Sequence, residues 1–426
     1  MELKLNYTFP EKTKKFTFRV MGAGLLLLIV GIIFHMMGGK GTENTEGGTD
    51  VVQSQGNGAL LSTRLWANLL VNSFFFMGIG LGATFFMALK YGAEAHYATV
   101  FKRVYESISR FLWPWGFAFM AFILLAGAFG LNNLYHWMDA GVYDESNKEM
   151  YDPKIVGKAA YFGWFFWLRF FLFFGVWIYI QQKLLKNSLE EDMVGGTQLH
   201  FKNRILSAVF LVFFGFTSSV AAWDWMMSLD VHWFSTMFGW YIFSGIWLSA
   251  IITILMTVLF LKDQGYLEHV NENHVHDLGK WVFAISFLWT YLFFCQFMLI
   301  WYANLPEEVT YFQNRMETNG YTGIFWTMFF VNFAFPMLLL MSRDSKRNRK
   351  YLIFVSLIIF FSHWTDIFVI VMPSTVASHW HFGAIEIGMF LIFLGFLMNR
   401  ILTALTKAPL LTSKHPYLEE SIHHHF

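Results

Sequence analysis

Ten long apolar stretches constrain the fold of this chain more than any other feature. Each has 18–28 residues, and about 20 apolar residues are enough for an α-helix to cross a bilayer. Only 14% of the 426 residues are charged, compared with about 25% in a soluble domain. The sequence therefore predicts an all-α polytopic membrane protein with ten transmembrane helices, here called spans 1–10: Val20–Met37, Leu65–Leu89, Phe111–Leu131, Tyr161–Ile180, Ile205–Leu229, Phe234–Leu261, Trp281–Trp301, Ile324–Met341, Tyr351–Met372 and Gly383–Leu402.

The distribution of lysine and arginine predicts the orientation of the spans. If the N-terminal segment 1–19 is cytoplasmic, the cytoplasmic segments hold 23 of the 30 basic residues and the opposite segments hold 6, with Arg169 inside a span. Basic loops are retained in the cytoplasm, so the C-terminal tail 403–426 is also predicted to be cytoplasmic. The net charge of +1 indicates no nucleic-acid partner.

The sequence predicts no metal site and no redox centre on this chain. Cys295 is the only cysteine, which excludes a cysteine-ligated iron–sulfur cluster or a CxxCH haem supplied by this chain alone. A haem held by two histidines needs imidazoles at matched depth on facing helices, and only His363 lies well inside a span.

A faint internal repeat suggests how the membrane domain 20–402 is organised. Phe76–Ala83 in span 2 and Phe243–Ala250 in span 6 both fit the pattern F-x-G-I-x-L-x-A. One interpretation is two four-helix bundles, about 65–229 and 234–372, with spans 1 and 10 peripheral. The alternative is that the small residues only allow close helix packing.

Arg169 is the most unusual residue within the predicted spans. A charge at the centre of a membrane helix costs about 2.5–3.5 kcal/mol on insertion scales. Arg169 either forms a structural ion pair with an acid on another span or serves a site that controls a relay acid or holds a polar ligand. The candidate partners at a similar depth are Asp224, Asp366 and Glu386.

Protonatable groups near both membrane faces define a candidate proton path. Glu94 and His96 follow span 2 at the cytoplasmic boundary, whereas His363 and Asp366 lie three residues apart on one face of span 9 and can form a local pair or a relay. The competing interpretation is that unconnected clusters only pair buried charges. The candidate path comprises Glu94, His96, Arg169, Asp224, His363, Asp366 and Glu386.

A short turn between spans 5 and 6 is predicted to lie outside the cytoplasm. It carries Asp230 and His232 among tryptophans, which favour the membrane–water interface. The segment with Glu307 and Glu308 lies on the same side. These four residues are predicted to dock partner proteins, although an acid such as Asp230 also suits a helix cap.

The sequence resembles a family of respiratory membrane subunits. The stretch that begins at Asp224, DWMMSLDVHWFSTMFG, and Phe297–Glu308, FMLIWYANLPEE, resemble the NrfD-like (polysulfide-reductase-type) subunits of bacterial Alternative Complex III. Asp366–Pro373, DIFVIVMP, is a weaker match. With the ten spans, the resemblance covers essentially the whole membrane region.

The resemblance implies a non-redox subunit of a quinol:cytochrome c oxidoreductase in the bacterial inner (cytoplasmic) membrane. The family's haem c groups and iron–sulfur clusters are on partner subunits: a multihaem cytochrome c, an iron–sulfur protein and a second NrfD-like subunit. A terminal oxidase is a further candidate partner. HWFSTMFG is most similar to the ActF-type paralogue, which is thought to contribute to proton translocation.

Three matters stay open from the sequence. The chain itself is expected to bind no cofactor, but a quinone or a lipid remains a candidate ligand. It can instead be the quinol-binding paralogue of the same complex. It can also be a stand-alone proton-coupled transporter, because ten spans with buried charges suit that function as well.

Overall fold

The computed structural model of the chain describes residues 6–38, 57–380 and 382–425. Within these ranges the regular structure is helical and contains no strand. Ten helices are long and apolar enough to cross a membrane. The prediction of an all-α polytopic membrane protein is therefore confirmed.

Most spans extend beyond a predicted limit at one or both ends, because the helices continue into polar residues. Spans 4 and 6 instead begin three residues later than predicted, and spans 3, 5 and 8 end two to four residues earlier. Span 3 is in two parts, since the chain leaves helical geometry at Trp113, next to Pro114. The spans are Glu11–Gly38, Asn57–Gly92, Lys102–Ser109 with Phe117–Ala128, Trp164–Val194, Gln198–Trp225, Met237–Asp263, Glu272–Ala303, Thr322–Leu339, Arg349–Thr375 and Ala384–Leu405. Short helices in the connections are Pro153–Val156, Ala159–Phe162, Pro306–Gln313, Arg343–Arg347 and Leu418–Ile422.

The first and last described segments of the chain lie at the same end of the helix bundle, which we call the terminal end. Thr8 and Tyr266 hydroxyls are 3.3 Å apart, and the Ser421 hydroxyl donates to the Tyr97 carbonyl at 2.6 Å. The opposite end, formed by segments 129–163, 226–236 and 304–321 among others, is called the far end.

Span 2 lies at the centre of the bundle and span 1 at its edge. In the apolar part of span 2, 89% of the residues are buried, whereas only 6% are buried in span 1. Span 2 packs against spans 3, 5, 6, 9 and 10, and span 1 packs mainly against span 10. Spans 6, 7, 8 and 9 pack in a closed ring, and spans 2, 6 and 9 join this ring to the rest of the bundle.

The two copies of the F-x-G-I-x-L-x-A pattern pack against each other. A Cβ atom added to Gly82 would lie 2.7 Å from the Cβ of Ala250 and 3.1 Å from the carbonyl oxygen of Ile246. Small residues let membrane helices approach this closely. The contact supports the interpretation of the pattern as a packing motif.

We expect Gly82→Ala to lower the free energy of unfolding by about 1–3 kcal/mol, because the added methyl group overpacks the contact between spans 2 and 6. The matched control is Gly175→Ala in span 4, where an added Cβ meets no atom within 4 Å. That control is expected to be neutral or to stabilise the helix by up to about 1 kcal/mol. Unfolding in mixed detergent micelles measures both, and equal effects would contradict the close contact.

Candidate functional site

Three carboxyl groups are buried near the far end, and each has its own partners. Asp224, Asp366 and Glu386 are 1–3% exposed and belong to spans 5, 9 and 10. A buried charge is costly unless it is paired and hydrogen-bonded. The partners of each acid therefore decide what it can do.

Asp224 is fixed by Arg169. Arg169 Nε donates to Oδ2 at 2.6 Å and Nη2 donates to Oδ1 at 2.8 Å, so the pair is bidentate. The Tyr161 hydroxyl donates to Oδ1 at 2.7 Å, and the guanidinium lies 3.8 Å from the centre of the Tyr161 ring. The predicted structural ion pair is present, with one of the three candidate acids.

The Arg169–Asp224 pair lies closer to the far end than the sequence suggested. Tyr161 is in a separate short helix, and span 4 begins at Trp164, which places Arg169 only about 8 Å along the helix axis. Burial and the nearby Asp224 carboxylate raise the pKa of Tyr161. The tyrosine therefore remains a hydrogen-bond donor to Asp224.

Glu386 is fixed by a second arginine. Arg64 Nε and Nη2 donate to its two carboxylate oxygens at 2.8 and 2.9 Å, and Asn68 Nδ2 donates to Oε1 at 3.1 Å. The backbone N–H of Gly383 donates to Oε2 at 2.9 Å. Sequence reasoning missed Arg64 because it assigned the residue to a loop, whereas span 2 begins eight residues earlier than predicted, at Asn57.

Asp366 differs from the other two acids because neutral groups hold it. The Tyr241 hydroxyl donates to Oδ1, and Trp289 Nε1 donates to Oδ2 at 3.0 Å. Within the described ranges, no lysine, arginine or histidine forms a salt bridge with Asp366. Asp366 therefore has no ion-pair partner within these ranges that would keep its carboxyl group ionised.

His363 does not form the local pair with Asp366 that its position on span 9 suggested. Neither ring nitrogen has a hydrogen-bond partner among the described residues, although the side chain is 1% exposed. The ring contacts the edge of Trp289, with 5.3 Å between ring centroids. His363 and Asp366 thus share Trp289 as a neighbour but are not hydrogen-bonded to each other.

Arg315 is a buried far-end residue that the sequence analysis did not single out. Its Nε donates to the Val369 carbonyl at 3.1 Å and its Nη2 to the Ile370 carbonyl at 2.9 Å. Pro373 has no N–H and leaves the carbonyl four residues before it without its helical donor. Arg315 replaces that donor, and the proline inside span 9 was the signal that could have indicated it.

Glu94 and His96, the terminal-end members of the predicted proton path, do not contact the three buried acids. Glu94 pairs with Arg204 at 2.6 Å, and both side chains are partly exposed. The His96 ring stacks on Tyr417, with 3.6 Å between centroids. Among the seven predicted residues, the only hydrogen-bonded contact in the described structure joins Arg169 to Asp224.

The predicted docking residues lie together at the far end but pair with another part of the chain. His232 Nε2 is 2.8 Å from a carboxylate oxygen of Asp152, and Glu307 is 3.5 Å from the Lys154 ammonium. Both contacts connect to the segment between spans 3 and 4. His232 and Glu307 nevertheless stay largely exposed.

An aromatic stack joins the two halves of this far-end surface. Trp233 stacks on Tyr311, with 3.8 Å between ring centroids. Asp230 and Glu308, on the two joined segments, are half-buried. The turn between spans 5 and 6 and the helix Pro306–Gln313 therefore form one continuous surface.

Comparison with known proteins leaves the family unassigned. The sequence matches no family model, and no curated protein matches it.

Proposed function

We propose that this chain is a membrane subunit of a respiratory quinol:cytochrome c oxidoreductase of the Alternative Complex III type, and that Asp366 exchanges protons in it. The observation that carries the proposal is the difference between the three buried acids. Arginine has no accessible neutral form, so Arg169 and Arg64 hold their acids in one state. Among the described residues, Asp366 is hydrogen-bonded only by Tyr241 and Trp289, which leaves both of its protonation states accessible.

The far-end surface supports a partner-dependent role. The two stretches with the strongest family resemblance, one beginning at Asp224 and the other ending at Glu308, both reach this surface. Trp233 of the first stretch stacks on Tyr311, three residues after the end of the second. Trp301 and Tyr302 are 62% and 83% exposed next to this surface, and aromatic residues are enriched in protein interfaces. The proposed partners are a multihaem cytochrome c, an iron–sulfur protein and a second NrfD-like subunit, with this chain in the bacterial inner membrane and both termini cytoplasmic.

An apolar cavity between spans 6, 9 and 10 bears on the alternative of quinol binding. Its volume is about 260 Å³, and its polar lining consists of Thr253 and Thr257. Both hydroxyls donate to carbonyls of their own helix. A quinol headgroup needs placed polar partners, so the cavity suits an acyl chain better, and this favours the ActF-type role.

We expect the chain purified gently from native membranes to co-elute with haem-bearing and iron–sulfur proteins. A photo-crosslinking residue at Glu307, which is exposed at the far end, should capture one of these partners. The matched control is the same residue at Lys407, exposed at the terminal end, which should not capture them.

A homogeneous native preparation without haem or iron would contradict the proposal. If that preparation also moved protons in vesicles, the stand-alone transporter would be the correct function. Haem absorbance that stays with the isolated chain would contradict the absence of a redox centre.

A further inference from the structure

A cluster of metal-ligand side chains lies at the terminal end, away from the acids described above. Glu191 is near the end of span 4, His200 is in the first turn of span 5 and His415 is in the C-terminal tail. Each offers one ligand atom, and these atoms all lie within 4.8 Å of one another. All three residues are buried, with 0%, 1% and 7% of their surface exposed.

The cluster contains buried polar atoms without protein partners. Both ring nitrogens of His200 and Oε1 of Glu191 lack a hydrogen-bond partner among the described residues. Buried polar side-chain atoms normally have at least one partner. A metal ion, which accepts electron pairs from such atoms, would give them the bonding partner that they lack.

The charges around the cluster are balanced. The Lys102 ammonium is 2.8 Å from Oε2 of Glu191, and Arg103 pairs with Glu106 and Asp192, while Arg110 also interacts with Glu106. These six groups comprise three carboxylates and three cations. The case for a metal ion therefore rests on the unpartnered ligand atoms and not on an excess of negative charge.

His415 can offer a ring nitrogen to a metal ion. Coordination requires a neutral imidazole with a free electron pair. The Tyr417 N–H donates to Nδ1 at 3.2 Å, and coordination through Nε2 exchanges this long hydrogen bond for a metal bond.

We propose that Glu191, His200 and His415 bind a divalent transition-metal ion and that the ion fastens the C-terminal tail to the helix bundle. Two imidazoles and a carboxylate are a ligand set that Zn²⁺ accepts, with bonds of about 2.0–2.2 Å. Tetrahedral ligands at that distance are about 3.4 Å apart. Nε2 of His415 is already 4.0 Å from Oε2 of Glu191, so small side-chain rotations complete the site.

The C-terminal tail already lies against the helix bundle, where a metal ion could hold it. The Ser421 hydroxyl bonds to the Tyr97 carbonyl at 2.6 Å, and the Lys414 ammonium donates to the Met193 carbonyl at 2.5 Å. His274 Nε2 of span 7 is 2.9 Å from the Ser421 carbonyl. These contacts already hold the tail against span 4, span 7 and the segment that follows span 2. A metal bond to His415 adds a link at a buried point of the tail.

Zinc titration of the full-length chain in detergent tests the proposal. His423 and His425 are exposed in the same tail and are a rival chelator, so the parent variant carries His423→Gln and His425→Gln. After removal of bound metals with a chelator, the parent should bind one Zn²⁺ per chain. Adding His200→Gln or His415→Gln should weaken the binding by at least about 100-fold, whereas the control His269→Gln, at the same end of the bundle, should not.

Limited proteolysis gives a second measurement. Zn²⁺ should protect the peptide bonds of the tail in the parent and not in the His415→Gln variant, which changes only a tail residue. Because His415→Gln also changes the packing of a buried side chain, the comparison is the rise in melting temperature on adding zinc, which should occur in the parent and not in the variant. Stoichiometric binding that survives both His200→Gln and His415→Gln, or a parent that binds no Zn²⁺, overturns the proposal.

Discussion

Asp224→Ala should destabilise the chain by about 3–5 kcal/mol, the range measured when one partner of a buried ion pair is removed. The substitution leaves the guanidinium of Arg169, which is 5% exposed, without both of its carboxylate acceptors. One of its nitrogens, Nη1, already has no partner among the described residues. The Tyr161 hydroxyl loses its acceptor as well.

The double variant Arg169→Met with Asp224→Leu separates a structural pair from a simple loss of packing. It removes both charges, and replacing a buried pair by apolar residues is often nearly neutral. We expect it to be more stable than Asp224→Ala alone. Unfolding in mixed micelles, followed by tryptophan fluorescence, measures this difference.

An exposed ion pair at the same end provides the control. Lys154 and Glu307 are 55% and 73% exposed and 3.5 Å apart, so Lys154→Met should cost no more than about 1 kcal/mol. If Asp224→Ala costs as little as Lys154→Met, Arg169 and Asp224 do not stabilise the fold as argued.

Asp366→Asn should abolish the protons translocated per electron while leaving the chain folded. Asparagine keeps the size of the side chain and one acceptor for the Tyr241 or Trp289 donor, but it cannot take up and release a proton. Proton release by vesicles that contain the intact complex, driven by quinol oxidation, measures the effect. The remaining release should equal that of the oxidation itself.

Glu386→Gln and Glu94→Gln are the matched controls for this measurement. Arg64 fixes Glu386, and Glu94 pairs with Arg204 at a partly exposed site. Glu386→Gln should lower stability, and neither variant should change the proton stoichiometry. If Asp366→Asn assembles normally and releases the same number of protons, Asp366 is not the exchanging group.

The sequence was sufficient for the ten spans because span length and apolar composition follow directly from bilayer thickness. From the depth of each residue in its span, the sequence also limited the candidate partners of Arg169 to three acids. It could not choose Asp224, because the facing of helices depends on packing between distant parts of the chain. The partner of Glu386 was missed because span 2 was predicted to begin at Leu65, which left Arg64 outside the helix.

Local spacing was a poor guide where other helices offered better partners. His363 and Asp366 are neighbours on one helix face, yet Tyr241 and Trp289, from spans 6 and 7, hold the carboxylate. The cluster with His200 and His415 was missed for a related reason. It forms only when the tail folds back across the bundle, and no short motif encodes that contact.

The bond between Arg315 and span 9 has a mechanical consequence. The far-end segment is attached to the carbonyls of Val369 and Ile370, one turn from Asp366. Pulling residues 304–321 away would leave the Val369 carbonyl without a donor in an apolar medium, a cost of several kcal/mol. A protein that displaces the far-end surface therefore also displaces the far end of span 9. It would change the surroundings of the Asp366 carboxyl group without contacting it.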